Sequence, residues 1–284
     1  MLAVLLLAAL GNKRWMAGLR CGMAIDYVLA MGCEPQKLLG VERLVGLHRT
    51  RILARTALAH MRDDGDVRPP GEIEVQLTTR KPEGASVRGV TLQDLLDEAA
   101  PLDQVAPACA RCPAGFTREL ACHRRIRYPI PEHVEAWLMS RLPSSLECTA
   151  GALLARGLRE FGWDGAPTAK LRAAGTTYFE SRAPYGVRWK AEDGTLEISS
   201  DQLFQMMFLV GPLAATHCLM LALFCGVLPH DISIYDLKDV QGRTRALAAA
   251  DVPLQADGDL EQLAAFLRML AIAARLEVSV LIDG

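Results

Sequence analysis

Apolar positions along this chain fall into blocks of different period, and the periods predict the elements. Across residues 15–62, Leu38, Val41, Leu44, Val45, Ile52 and Leu53 recur at helical spacing, and Pro35 sits near a helix start, so the whole region is expected to be helical. Asp63-Asp64-Gly65 and Pro69-Pro70-Gly71 end it. Residues 72–79 alternate Ile73, Val75 and Leu77 with polar neighbours, the pattern of a strand with one buried face. Pro82 and Gly84 turn the chain back through Val87 and Val90. Thr91 then stands where it can cap a helix carrying Leu95, Leu96 and Ala99.

Further along, residues 124–130 read as a short strand, and Pro131 as the first residue of a helix bearing Val134, Trp137 and Leu138. Residues 146–161 read as a helix stopped by Gly162. Residues 176–181 and 185–190 alternate as strands. Glu192-Asp193-Gly194 turns the second of these into residues 195–198, the clearest hairpin in the sequence. Residues 258–275 carry an amphipathic helical pattern, and residues 276–282 a closing strand. The expected class is α+β and helix-rich, with small antiparallel hairpins and a cysteine-rich, metal-type loop in the middle. Pro143-Ser144-Ser145 marks a division into residues 1–143 and 144–284, which leaves a single domain open as well.

Two apolar stretches bear on membrane association. Residues 2–10 are too short to span a bilayer, and neither a basic segment nor a small-x-small cleavage site accompanies them. Residues 206–228 contain no Asp, Glu, Lys or Arg and are long enough to span. Gly211-Pro212 interrupts them, however, and no Lys or Arg closely flanks either end. Two buried helices meeting at Gly211-Pro212 are therefore expected, not a membrane span. The wider apolar region, residues 203–228, is also the place expected to meet a protein partner.

Composition changes this picture little. At 284 residues, 51% apolar and 23% charged, the chain can bury a substantial core and is not of the disordered class. A net charge of −2 gives the molecule no overall attraction to nucleic acid or an anionic membrane, so any such contact has to be local. The richness in Ala, Arg, Leu and Gly is of the kind that GC-rich bacterial genomes encode, an association without physical force.

The eight cysteines are more informative. Cys109, Cys112 and Cys122 sit within one short, proline-bounded segment. Cys21, Cys33, Cys148, Cys218 and Cys225 are scattered through apolar surroundings, where a thiol usually behaves as a small hydrophobe. That usage points to a reducing cytoplasm and to metal or free thiols, not to a disulfide framework. A Cys-x2-Cys turn brings two thiolates to a single ion, and Cys122 supplies a third ligand. His123, His133 and Cys148 compete for the fourth place. Structural zinc is the expected cofactor. An iron–sulfur cluster is the alternative, although the spacing matches no standard ferredoxin run, and three reduced thiols without metal are the plainer possibility.

Around the cluster, Arg111, Arg118, Arg124, Arg125 and Arg127 outnumber Glu119, and His48, Arg51, Arg55 and Arg62 can share one helical face. Phosphate binding needs such local positive density, and Phe116 and Tyr128 could stack on bases. The competing reading is a solvated face paired with nearby carboxylates. Catalytic candidates are few. His217 and Cys218 lie in the most apolar segment, His230-Asp231 ends it, and Asp63-Asp64 and Asp193 have the character of turn residues. Gly11-Asn12-Lys13-Arg14 lacks the spacing of a phosphate loop. The expectation is a zinc-stabilised, non-enzymatic interaction or adaptor protein in a larger assembly, possible nucleic-acid contact running through the arginines. A metal-dependent enzyme with an open zinc position is the alternative.

Overall fold

The computed structural model describes residues 4–8, 24–81, 84–191, 194–239 and 258–283. Cys21, Gly11-Asn12-Lys13-Arg14, Pro82, Glu192 and Asp193 lie outside them. The fold is helix-rich α+β, as the periodicities predict, and the chain divides into two compact units. The first comprises residues 1–123 with 283–284, and the second residues 124–282. The Pro-Ser-Ser at 143–145 thus lies inside the second unit. Trp189 Nε1 donates to the Pro143 carbonyl at 2.8 Å, tying that segment into the body around it.

In the first unit, β1 (Val4–Ala8), β3 (Glu74–Lys81) and β4 (Gly84–Thr91) form an antiparallel sheet with β3 in the centre. Register is set by Val4 opposite Thr79 and by Glu74 opposite Thr91. The apolar N-terminal stretch is therefore a sheet strand at residues 4–8. Residues 24–29 form a further strand, β2 (Ala24–Leu29), where a continuous helix was expected. Five of its six residues are buried, so its apolar run shows no alternation, and a short buried strand cannot be told from helix by period alone.

Helix follows as α1 (Glu34–Leu39) and α2 (Val41–Asp63). On α2, Leu44, Leu47, Arg51, Ala54, Ala57 and Met61 are buried at three- and four-residue steps, one continuous stripe. Its C-terminal half packs Ala54, Ala57 and Met61 against Ile73, Val75, Leu92 and Leu95. Its N-terminal half packs Leu44 and Leu47 against Ala99, Leu102 and Leu120, with Cys109 at the margin. Thr91 caps α3 (Leu92–Glu98) in a capping box with Asp94, as its position predicted. The chain then passes through α4 (Pro101–Val105) and a 3₁₀ segment, Ala106–Arg111, into the cysteine loop.

The second unit begins along β5 (His123–Arg127) and continues through α5 (Glu132–Ser140), α6 (Thr149–Phe161) and α7 (Ala166–Ala173). Gly162 stops α6 in the left-handed region at φ 62°. Inside α6, a Cβ on Gly151 would stand 2.2 Å from the Ser145 carbonyl oxygen, so only glycine fits. The hairpin β6 (Gly186–Ala191) and β7 (Gly194–Ser199) forms as expected, with Val187 opposite Ile198. Residues 176–181, read as a strand, contribute only a bridge from Phe179 to Ile130.

Residues 206–228 form α8 (Ser200–Phe208) and α9 (Ala215–Phe224), broken at Gly211-Pro212 as the punctuation implied. No helix among the described residues is long and apolar enough to cross a membrane. Leu203, Phe204, Met206, Leu221 and Leu223 are fully buried, and α11 (Gly258–Leu276) packs along α9. This corrects the expectation of a partner surface over 203–228: most of it is the unit's own core, with Leu209 and Val210 exposed at the break. A short α10 (Ile234–Lys238) and the closing strand β8 (Val280–Asp283) complete the described elements.

A buried ionic network joins α5, α7 and α8. Arg172 donates to Glu135 at 3.0 and 3.1 Å, to Asp201 at 2.7 and 3.0 Å, and to the Ser181 carbonyl at 2.8 Å. Its guanidinium lies over the Phe179 ring, 4.2 Å from the centroid. Ser200 Oγ donates to Glu135 at 2.8 Å. Burial pushes the Glu135 carboxyl up, against the pull of Ser200 and Arg172.

Candidate metal centre

The cysteine loop does not stand alone. Cys109, Cys112 and Cys122 line one small cavity, and a fourth thiol, Cys33, lines it with them. Met31, Pro35, Phe116 and Leu120 supply apolar walls, and Arg118 a cationic edge. Burial pushes the Cys122 thiol up to about 12, with the neighbouring Cys33, Cys112 and Cys109 adding to the effect. Burial likewise raises Cys33, with the Gln36 backbone N–H pulling against the rise and the Cys109 and Cys112 thiols adding to it. Among the described residues, no group of three or more His, Cys, Asp or Glu side chains is arranged so that it could hold a metal ion.

Local structure explains how each thiol reaches the cavity. Cys112 ends the 3₁₀ segment, its N–H donating to the Cys109 carbonyl at 3.1 Å. Gly115, at φ 73°, then turns the chain, with its N–H on the Cys112 carbonyl at 2.9 Å. Leu120 is buried and left-handed at φ 54°, a conformation that a bulky side chain adopts only where its surroundings hold it. Cys122 follows, its carbonyl accepting the Leu29 N–H at the end of β2, 3.1 Å away.

Each competitor for the fourth position faces elsewhere. His123 is buried, with Nε2 3.0 Å from Asp26 Oδ1 and Nδ1 2.5 Å from His48 Nδ1. Arg49 holds the other Asp26 oxygen at 2.5 Å and also reaches Asp283 at 2.8 Å. In this relay one of the two facing imidazole nitrogens carries the hydrogen and the other accepts it. The relay therefore fixes the residue after Cys122 without pointing it at the thiols. His133 is exposed on the first turn of α5. Cys148 caps α6, accepting the Gly151 N–H at 3.4 Å and donating to the Ser145 carbonyl at 3.2 Å. Cys148→Ser is accordingly expected to change stability by no more than about 0.5 kcal/mol and to leave metal content unaltered, serine being a preferred cap. Metal content and thermal melting of that variant check this, and loss of metal would return Cys148 to the ligand set.

The arginines separate into different tasks. Arg111 pairs with Glu34 at 2.8 Å, Arg118 edges the cavity, Arg125 is half-buried, and Arg124 and Arg127 are exposed. The second basic set is not a shared phosphate-binding face. His48 belongs to the relay, and Arg51 is buried on Asp103 at 2.6 Å. Arg62 donates to the Asp66 and Arg68 carbonyls, and Arg55 alone of that set is simply exposed.

The catalytic candidates gain no constellation. His217 stacks on Trp163, and burial lowers its pKa. Burial also lowers His230, and pushes the Cys218 and Cys225 thiols up to about 12, which keeps them protonated and unreactive. Asp63 and Asp64 close α2 at a turn.

Cys33 is the residue that sequence reasoning missed. It is remote from the cluster along the chain and looks like one more apolar-site thiol. The available signal was its setting, Gly32-Cys33-Glu34-Pro35, a turn glycine and a helix-start proline that put the thiol on a helix cap and not in a helix interior. No protein-family model matches this chain, and neither a curated protein nor a solved structure does.

Proposed function

We propose that this chain is a zinc-stabilised, non-enzymatic interaction protein that works within a larger assembly in a reducing compartment. One observation carries the reading: the Cys-x2-Cys pair and Cys122 face a single apolar-walled cavity together with a further thiol. Thiols gathered in this way suit a soft or borderline ion, and the surroundings offer no carboxylate to favour a hard one. Zinc needs no redox partner and takes a tetrahedral thiolate shell, which makes it the proposed metal over an iron–sulfur cluster. His123 and Asp26 form an acid–base pair, but both side chains are buried, which favours a structural role over catalysis.

Nucleic acid is the proposed ligand class for the exposed Arg124 and Arg127, which follow Cys122-His123 directly. Wild type and the double variant Arg124→Gln/Arg127→Gln, titrated with single- and double-stranded oligonucleotides over a range of salt, test this part. Wild-type affinity is expected to fall steeply with salt, and the variant's log–log slope to be shallower by about 2. No binding at low salt removes nucleic acid from the proposal and leaves a protein partner.

A further inference from the structure

We infer that Cys33 is the fourth metal ligand, closing an all-thiolate shell with Cys109, Cys112 and Cys122, so that the centre is a structural staple with no position for substrate. The inference rests on the metal reading above and decides between its two versions. Three protein ligands leave an open, catalytic-type site, whereas four close it.

Three observations converge on Cys33. It lines the same cavity as the other three thiols, while His123, His133 and Cys148 are engaged or exposed elsewhere. Its position is also fixed in advance. The buried Gln36 side chain donates to the Leu29 carbonyl at 2.5 Å and accepts the Gly32 N–H at 2.8 Å, clamping the β2–α1 turn that presents Cys33. The end of that same turn is tied to Cys122 through the Leu29–Cys122 hydrogen bond, so two of the ligands share one scaffold.

Four thiolates on a divalent ion carry a net charge of −2, which an apolar pocket tolerates only with compensation. Arg118 edges the cavity and offsets one unit of that charge. Binding releases the thiol protons to solvent, one per sulfur, with no change of oxidation state. Such a staple would lock the β2–α1 turn to the 109–122 loop, and Leu39 of α1 and Cys109 of the loop both pack on the core around Leu44, Leu47 and Leu120.

Peptide mapping after alkylation, with and without chelator, tests this on the wild-type full chain. Cys33, Cys109 and Cys112 are expected to be protected together in the metal-bound protein and to react together once metal is removed. Cobalt loading of Cys33→Ser and Cys33→His gives the second readout. The serine variant is expected to lose roughly a quarter of the thiolate-to-cobalt charge-transfer intensity, one sulfur of four, and more metal affinity than the about 10–100-fold that outer-shell changes cost. The histidine variant should keep the metal with a shifted ligand-field spectrum, because imidazole replaces the sulfur. If Cys33 alkylates equally with and without bound metal, or if the serine variant keeps the wild-type cobalt spectrum, the inference fails and the metal reading survives. A wild-type chain that takes up neither zinc nor cobalt overturns both.

Discussion

Replacing Cys112 with serine is expected to release the metal and to lower stability by ~5 kcal/mol or more, a large part of the free energy that structural zinc contributes to small domains. The size follows from the position of Cys112. It is half-buried at the end of the 3₁₀ segment, and its carbonyl anchors the Gly115 turn. A serine hydroxyl in its place does not ionise to hold the ion. With the metal gone, the Cys122 thiol stays protonated in an apolar pocket, where burial already pushes it up to about 12. Chemical denaturation of variant and wild type, each with its zinc content, measures the effect. A variant that keeps both its metal and its stability would remove Cys112 from the centre.

The second large effect is expected in the other unit. Arg172→Met should destabilise it by about 3–5 kcal/mol, the cost of leaving buried carboxylates without their cation. Glu135 is fully buried, and Asp201 nearly so. Both depend on the one guanidinium for neutralisation. The pH dependence has a definite sign. A buried carboxyl whose folded pKa is raised favours folding below its unfolded pKa, and that advantage is lost as pH rises through the folded value. Burial already raises Glu135, and losing Arg172 raises it further. The variant's deficit is therefore expected to be largest near neutral pH and to shrink as pH falls through the carboxylate range. Denaturant unfolding at several pH values checks this, and a deficit independent of pH would count against the buried-charge explanation.

How far these features were legible in the sequence depends on the distance over which each is encoded. The hairpin at residues 186–199, the Thr91 cap, the Gly162 stop and the break at Gly211-Pro212 are local devices, and all four appear where the pattern placed them. Strand β2 was misread as helix because a strand buried on both faces loses its alternation. The part of the centre held in Cys109, Cys112 and Cys122 was legible for the same local reason. Cys33 was not, because only the folding of β2 against the cluster loop brings it there, through the Leu29–Cys122 hydrogen bond. The Arg172 network was invisible for a similar reason: Glu135, Arg172 and Asp201 lie on three helices and resemble ordinary surface charges one at a time.

The relay of Asp26, His123 and His48 shows a further limit. Adjacent to Cys122, His123 has a chain position that suggests a ligand, yet its ring is committed to Asp26 and His48. Cys122 lies in the turn that the His123 N–H closes on the Leu120 carbonyl, and His123 begins β5, so the two neighbours serve different structures.

Elemental analysis of the purified wild-type chain, paired with its melting transition before and after chelation, tests the central claim most directly. One zinc per chain is expected, with a transition that drops sharply once the zinc is removed. A chain with no stoichiometric metal, and with melting unchanged by chelator, contradicts it.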